Sequence, residues 1–231
     1  MGQGSVERDP KDREPRARAT RIKFCGLTRP EDVDLAVALG VDFIGLVFAA
    51  RSPRRLDPMT GAALRARIPD RIATVALLMD ASAAEVGAVV ETVRPDLLQF
   101  HGAEPDAFCA GFGLPFWKAI AMGGDPDRAL AGLGSFPHAA AFLFDGHAAG
   151  EPGGGGQRFD WTRLPDTLER PFLLAGGLDA GNVARAIATA RPWGVDVSSG
   201  IEQSPGLKDA ARMRAFVEAV RCADGDGAPR S

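Results

Sequence analysis

Cysteine is scarce in this chain of 231 residues, which has only Cys25, Cys109 and Cys222. An odd number of cysteines without regular spacing argues against a disulfide framework, and the lack of a Cys-x-x-Cys pair gives no indication of a zinc site. A reducing compartment suits such a composition. We therefore expect a cytoplasmic protein without a bound metal.

Long apolar runs and a strong charge of one sign are also missing. No apolar run approaches the roughly 18 residues of a membrane-spanning helix, and the first residues lack the apolar segment of a secretory signal. The formal net charge is −3, so no basic field indicates binding to nucleic acid or to a membrane. An anionic ligand must therefore be held by local groups.

Apolar residues are rare at both ends of the chain. Residues 1–20 are polar, charged and interrupted by prolines, and residues 223–231 have a similar composition. Such segments bury too little apolar surface to offset the entropy lost on ordering, which predicts disordered arms. We expect residues 21–222 to form a single domain and the amino-terminal arm to be dispensable.

Short apolar runs alternate with amphipathic segments between these arms. Strands that are apolar on both faces, each followed by a helix, are typical of a parallel sheet covered by helices. Eight such units predict an α/β protein with a closed (β/α)8 TIM barrel. An open doubly wound sheet is the alternative, but the G-x-G-x-x-G turn that it normally has after its first strand is missing. The eight runs are residues 22–27, 42–48, 72–79, 97–102, 116–122, 140–145, 172–178 and 194–199.

Helix signals between the runs support this order of elements. Residues 29–40 start with a proline and acidic residues, carry an apolar stripe and stop at Gly40. Ser82 and Glu85 have the spacing of a capping box, which predicts the start of a second helix. Strong helical periodicity predicts two more helices, within residues 179–192 and 207–221.

Glycine and serine collect at the ends of the last two strands. Gly176 and Gly177 follow the seventh strand, and Ser198, Ser199 and Gly200 follow the eighth. These loops are the usual phosphate site of the fold, where backbone N–H groups at a helix start bind an anion without a lysine. A side chain at either of the paired glycines would hold the phosphate away. We therefore favour close approach of a ligand over the alternative, an ordinary tight turn.

Candidate reacting groups also stand at strand ends, the face on which barrel active sites are built. Cys25 ends the first strand and Asp145 the sixth. Taken singly, a cysteine is often a small buried apolar residue, and an aspartate often caps a loop. Together they are more informative because both point into one barrel mouth. Arg54 follows the second strand and could grip a carboxylate, while His101, at the end of the fourth, is either a ligand contact or a wall residue.

The connection after the sixth strand is unlike the short loops elsewhere. Residues 145–161 include an unbroken run of four glycines at 153–156. Two interpretations stay open for this segment: a flexible insertion, or a mobile lid whose glycine amides lie near a phosphate.

Motifs along most of the chain resemble the phosphoribosylanthranilate isomerase family. The segments K-F-C-G-L-T at residues 23–28, L-L-Q-F-H-G-A-E at 97–104, L-L-A-G-G-L-D at 173–179 and D-V-S-S-G-I-E at 196–202 occur in the family's order. The resemblance covers about residues 21–221, and the combination of the first and last motifs is highly specific. It implies a (β/α)8 barrel with the family's activity.

The resemblance implies a reaction and a set of roles. The reaction is the Amadori rearrangement of N-(5-phosphoribosyl)anthranilate to 1-(2-carboxyphenylamino)-1-deoxyribulose 5-phosphate in tryptophan biosynthesis, without a metal or an organic cofactor. Cys25 matches the family's base, Asp145 its acid and Arg54 its ligand for the anthranilate carboxylate. The family's phosphate loops match Gly154, Gly155, Gly156, Gly176, Gly177, Ser198, Ser199 and Gly200. A small phosphorylated substrate and a monomer or homodimer are further implications.

The chemistry requires unusual protonation of both reacting groups. An aspartate is normally ionised at neutral pH and a cysteine normally protonated. We expect apolar surroundings and negative neighbours, including the substrate, to keep Asp145 protonated. We expect Cys25 to act as a thiolate or to lose its proton during the reaction.

Two alternatives remain at this point. A sibling barrel such as indole-glycerol-phosphate synthase would need a catalytic lysine on an early strand together with a glutamate; Lys23 is on the first strand, two residues before Cys25, but no glutamate stands at a strand end. A barrel that only binds phosphometabolites is the non-enzymatic alternative. Asp80 stands where the family more often has asparagine, which puts fine contacts to the substrate in doubt.

Overall fold

A closed barrel of eight parallel strands forms the centre of the molecule, in strand order β1 to β8. The computed structural model describes residues 19–148, 150, 156–165 and 167–225. All eight predicted strands are present, so the expected (β/α)8 barrel is confirmed. The strands are β1 (Arg21–Cys25), β2 (Phe43–Val47), β3 (Ala73–Leu78), β4 (Leu97–Phe100), β5 (Phe116–Ala121), β6 (Ala141–Asp145), β7 (Phe172–Leu174) and β8 (Gly194–Val197).

Helices cover the outside of the barrel, and their ends follow the sequence signals. The first helix starts at a proline and ends at Gly40, whose φ of 68° is left-handed, a conformation that glycine adopts without strain. The predicted capping box between Ser82 and Glu85 is formed in full. The helices are α1 (Pro30–Leu39), α2 (Pro58–Arg65), α3 (Ala83–Val93), α4 (Asp106–Ala110), α5 (Pro126–Ala131), α6 (Val183–Ala190) and α7 (Ala210–Ala223). None of these helices is long and apolar enough to cross a bilayer.

Two connections depart from the simple alternation of strands and helices. Between β6 and β7, the described residues contain no α-helix, only a 3-10 turn at Trp161–Arg163. After β8, the chain forms a small antiparallel hairpin of β9 (Glu202–Ser204) and β10 (Leu207–Lys208). The last helix begins at Ala210, three residues later than the periodicity from residue 207 predicts. The hairpin occupies Leu207 and Lys208, and Asp209 caps the helix by accepting the N–H of Arg212.

Apolar side chains fill two separate spaces. The larger core lies between the barrel and its helices and includes fully buried residues such as Phe24 and Phe216, whose rings pack edge to face 6.1 Å apart. A second cluster lies inside the barrel, where Phe43 and Trp117 pack edge to face with ring centroids 4.9 Å apart. This interior plug leaves the mouth at the carboxyl ends of the strands as the place where a ligand can enter.

The two ends of the described chain meet beside the barrel. Thr20 donates hydrogen bonds to both carboxylate oxygens of Asp224, from its backbone N–H at 2.9 Å and from its hydroxyl at 2.6 Å. Thr20 is buried. Thr20 and Asp224 were expected to belong to the two disordered arms, but both pack against the barrel. Most of each arm lies outside the described residues.

Candidate active site

A pocket of about 630 Å³ opens at the carboxyl ends of the strands. Apolar side chains from β2 and β3 form one wall, among them Val47, Leu77 and Met79. The other walls gather most of the residues that the sequence predicts for the site, namely Cys25, Arg54, His101, Asp145, Gly176, Gly177, Ser198 and Ser199. Residues from distant parts of the sequence thus share one concave surface.

The Cys25 thiol, at the end of β1, occupies space that Gly45 on β2 leaves open. Gly45 on β2 is its partner in the strand register, and a Cβ added there would lie 2.8 Å from the Cys25 Sγ and 3.0 Å from the Lys23 Nζ. Only glycine leaves room for the thiol at this position. Burial raises the pKa of Cys25, although the Lys23 ammonium acts to lower it. The thiol is therefore protonated in the free protein.

A buried ion pair lies beneath the thiol. Lys23 and Asp196 are cross-strand partners on β1 and β8, and the Lys23 Nζ lies 2.9 Å from the Asp196 Oδ1 with the lysine side chain fully buried. Burial would lower the pKa of Lys23, but Asp196 and the Cys25 thiol raise it above its ordinary value. Burial raises the pKa of Asp196. Sequence analysis missed Asp196, although a lone acid inside an apolar strand was a signal for such a pair.

Asp145 lies at the end of β6 beside two histidines. The His147 Nδ1 is 3.3 Å from its Oδ2, and the rings of His147 and His101 stack with centroids 5.6 Å apart. Burial acts to raise the pKa of Asp145, but the two imidazoles outweigh it and hold that pKa below its usual value. Asp145 is therefore ionised in the free protein, so the protonation expected for the reaction has to come from the negative charge of the bound substrate. His147, which sequence analysis missed, is the main reason for the ionised state.

Arg54 belongs to a buried cluster of three charges. Its Nε and Nη2 groups donate to the two carboxylate oxygens of Glu202 at 2.8 and 2.7 Å. The Lys208 ammonium donates to the same carboxylate at 2.8 Å and to the Cys25 carbonyl at 2.7 Å. Burial would raise the pKa of Glu202, but the two cations lower it. Of these three residues, Arg54 lines the pocket.

The paired glycines after β7 have a structural reason of their own. Gly176 and Gly177 have φ values of 85° and 61°, which non-glycine residues rarely adopt. A Cβ at Gly176 would overlap the Gly146 nitrogen, and one at Gly177 would lie 2.5 Å from the Arg158 Cγ. The tight turn that we set aside is therefore sufficient to explain both glycines, since the neighbours they admit belong to the β6–β7 connection.

Main-chain N–H groups nevertheless point to an anion cradle at these loops. Within the described residues, the N–H groups of Gly177 and Ser199 donate to no protein acceptor. Ser199 lies beside Gly156, whose added Cβ would be 3.4 Å from the serine Oγ. Gly177 and Ser199 both line the pocket that contains Cys25.

Other predicted phosphate residues have different surroundings. The Ser198 hydroxyl donates to the Cys25 carbonyl at 3.0 Å, which ties β8 to β1. Gly200 is outside the pocket lining, and a Cβ there would overlap the Leu178 carbonyl oxygen. Gly154 and Gly155 lie outside the described residues.

Asp80 supports a loop next to the pocket. Its φ is 51°, a left-handed conformation that asparagine and aspartate adopt more readily than most residues. Its Oδ1 accepts the N–H of Ala103 at 2.8 Å, and its own N–H donates to Glu104 at 2.7 Å. Asp80 does not line the pocket that contains Cys25, so the exchange of asparagine for aspartate concerns the β4–α4 loop.

Fold and site together define a (β/α)8-barrel enzyme that brings a thiol and a carboxylate into one pocket with the loops after β7 and β8. The family model described as N-(5'-phosphoribosyl)anthranilate isomerase matches residues 22–219. The isomerase of that name from Xanthomonas oryzae pv. oryzae is 55% identical over 210 residues, which cover 89% of this chain and 95% of the relative. This chain belongs to the N-(5'-phosphoribosyl)anthranilate isomerase family.

Solved structures agree with this assignment. The crystal structure of phosphoribosyl anthranilate isomerase from Thermus thermophilus is 32% identical, with a TM-score of 0.78 over 88% of this chain and 99% of that one. A second isomerase structure, solved with reduced 1-(o-carboxyphenylamino)-1-deoxyribulose 5-phosphate, is 27% identical. Its TM-score is 0.75, over 88% of this chain and 99% of that one.

Proposed function

We propose that this chain isomerises N-(5-phosphoribosyl)anthranilate to 1-(2-carboxyphenylamino)-1-deoxyribulose 5-phosphate, a step of tryptophan biosynthesis. The observation that carries the proposal is a single pocket lined by Cys25, Asp145 and the loops after β7 and β8. A ribose phosphate seated there has its anionic end at the loop amides and its reacting carbons between the thiol and the carboxyl.

Asp145 is the proposed acid that opens the ribose ring. It is ionised in the free protein because His147 and His101 lower its pKa. The substrate brings a phosphate and a carboxylate into the pocket, and these negative charges favour protonation of a neighbouring carboxylate. Asp145 then donates its proton to the ring oxygen as the C1′–O bond breaks and a Schiff base forms with the anthranilate nitrogen.

Cys25 is the proposed base that completes the rearrangement. The Lys23 ammonium beside it lowers the free energy needed to form the thiolate. The thiolate takes the C2′ proton of the Schiff base, and the electrons of the C–H bond move towards nitrogen to give the enol-amine. Tautomerisation of the enol to the ketone then yields the product.

Binding groups surround these two residues. Arg54 is the proposed contact of the anthranilate carboxylate, and His101 also lines the pocket. The loop amides at Gly177 and Ser199 are proposed to bind the phosphate, with the glycines after β7 and β8 shaping the cradle. We retain the proposal that Gly154, Gly155 and Gly156 belong to the phosphate-binding loops.

Replacement of each reacting group tests these roles. Cys25→Ser and Asp145→Asn should each lower kcat by about 10²- to 10⁴-fold, the usual contribution of a general acid or base. The affinity for a reduced product analogue should change only a few-fold. The assay generates phosphoribosylanthranilate in situ and follows the loss of its fluorescence. Cys222→Ser, at an exposed thiol, is the matched control and should retain full activity.

The outcome separates the proposal from the alternatives. Full activity in either variant would refute that residue's role, and a wild-type decay no faster than background would favour a barrel that only binds phosphometabolites. A synthase mechanism through Lys23 has little support, since that lysine is fully buried and paired with Asp196. We infer a cytosolic location from the odd number and irregular spacing of the cysteines. Light scattering of the purified chain decides between monomer and homodimer.

A further inference from the structure

Three buried side chains between β4 and β6 form a cluster of the metal-ligand type. One nitrogen or oxygen atom each from His101, Asp145 and His147 lies within 4.8 Å of the other two. Two imidazoles and one carboxylate are a donor set that zinc and related divalent ions favour. Metal bonds of about 2.0–2.1 Å would require these donors to close by roughly an ångström, which small side-chain rotations can provide.

Two buried ring nitrogens of this cluster are poorly satisfied. The Nδ1 atom of His101 is buried and has no hydrogen-bond partner among the described residues, and that of His147 has only the Asp145 carboxylate, 3.3 Å away and outside hydrogen-bond geometry. The histidines are only 8% and 4% exposed, and buried polar atoms without a partner are rare in native proteins. Nitrogen lone pairs lie in the ring planes, and the two rings stack at 20°. A rotation of one ring would therefore bring both nitrogens onto one cation.

Gln99 on β4 prepares His101 to act as a ligand. Its side-chain amide contacts the His101 Nε2, and its Oε1 has no partner. Turning the amide by half a turn lets Oε1 accept the Nε2–H, which satisfies both groups and leaves Nδ1 with the lone pair. Metal-ligating histidines commonly donate their second N–H in this way.

A second opening gives a cation access to the cluster. His101 and His147 line another pocket, of about 1230 Å³, which extends to β5 and α5. Asp145 and His101 line the pocket that contains Cys25. The cluster thus forms part of the wall between the two pockets, and an ion can reach it without crossing the substrate site.

We propose that His101, Asp145 and His147 bind a divalent transition metal of the zinc type, and that the bound metal inhibits the enzyme. Inhibition rests on the proposed function, because a carboxylate that ligates a metal does not carry the proton for ring opening. Metal binding itself does not depend on the reaction.

Cobalt titration of the full-length, chelator-treated protein tests the site. Co²⁺ should give visible d–d absorption that saturates at one equivalent, and Zn²⁺ should displace it. His101→Gln and His147→Gln should each raise the Kd at least about 100-fold, given that even outer-shell changes cost 10- to 100-fold. His138→Gln is the matched control, because this third histidine is exposed and bonded to Asp106 at 2.6 Å. Its Kd should not change.

Several outcomes would overturn the site. These are no saturable absorption, an unchanged Kd in His147→Gln, or an intense sulfur-to-cobalt charge-transfer band that places the metal on a cysteine. Should a variant fail to fold, imidazole NMR of the wild type with Zn²⁺ decides. The resonances of His101 and His147 must shift, and those of His138 must not.

An activity measurement tests inhibition separately. Zn²⁺ should slow the fluorescence decay of phosphoribosylanthranilate, and a chelator should restore the rate. Bound metal without any effect on the rate would overturn inhibition alone. A metal-free enzyme without activity would instead contradict the proposed function, while the cobalt titration would still report on the site.

Discussion

At the scale of single residues, Glu202 is notable because it pairs with two buried cations. Its carboxylate pairs with the buried cations Arg54 and Lys208, and Lys208 in turn bonds the Cys25 carbonyl. Removing one partner from a buried ion pair leaves an uncompensated charge, which costs about 3–5 kcal/mol. The position of Cys25 therefore depends on a residue that never meets the sugar.

Replacing Glu202 by glutamine should lower the free energy of unfolding at neutral pH by about 3 kcal/mol. Because Arg54 and Lys208 lower the pKa of Glu202 in the folded state, its contribution is complete above the unfolded value of about 4.3 and is lost as the pH falls through the folded pKa. The gap between wild type and variant should therefore narrow below about pH 4. Thermal unfolding across this range measures it.

The control for this experiment is Glu218→Gln, at an exposed position on α7. Its stability should follow that of the wild type at every pH. A constant gap between wild type and Glu202→Gln from pH 7 to 3 would show that packing, rather than the charge of Glu202, sets the difference.

At the scale of one element, α3 shows how local signals fix a helix. Ser82 and Glu85 close its capping box, and Val86, Val89 and Val93 face the core. Gly87 lies in the middle of the helix, and a Cβ there would meet nothing within 4 Å. The start of the helix is thus well supported and its interior is weakened by one glycine.

Opposite substitutions in α3 should have opposite effects on stability. Gly87→Ala should stabilise the protein by about 0.5–1 kcal/mol, because alanine loses less backbone entropy in a helix. Ser82→Ala should destabilise it by about 1 kcal/mol through loss of the cap. Both variants should keep wild-type kcat. Urea unfolding measures the stabilities, and a lower midpoint for Gly87→Ala would contradict this account.

At the scale of the whole molecule, the barrel closes through contacts between residues far apart in sequence. β1 pairs with β8, and next to this seam Thr20 bonds Asp224 across 204 residues of chain. Arg221 strengthens the seam by donating to the Thr20 carbonyl at 2.9 Å. The end of α7 therefore clips the start of β1 in place.

Asp224→Ala should weaken this closure. The change removes two hydrogen bonds to a charged acceptor, and such bonds contribute about 1.5–3 kcal/mol each before partial exposure reduces them. A loss of about 1–3 kcal/mol should lower Tm by roughly 2–4 °C per kcal/mol for a chain of this size. Calorimetry measures the shift. Asp70→Ala, at an exposed turn, serves as the control, and equal Tm values for the two variants would contradict the proposed clip.

Sequence patterns were most informative where the signal is local. Strand runs, the proline at the start of α1, Gly40 and the capping box all describe neighbours within a few residues, and the structure confirms them. The same patterns missed the hairpin at Glu202–Ser204 and Leu207–Lys208, because its residues are too few to show a period.

Partnerships across the barrel could not be read in this way. Asp196 beside Lys23, His147 beside Asp145 and Glu202 beside Arg54 each depend on which strand ends meet. These partners also decide the charge of Asp145 in the free protein, since burial alone predicts a protonated carboxyl whereas two imidazoles keep it ionised.

The sequence by itself determined the eight barrel strands, the strand-end positions of Cys25 and Asp145, and the glycine and serine loops. Hydrophobic periodicity and helix-end signals depend on residues that are close together in the sequence, so they can be recognised without a structure. Only the tertiary structure decided the protonation of the reacting groups, the network behind Arg54 and the paired histidines. Electrostatic energies depend on distance and burial, and closure of the barrel sets both.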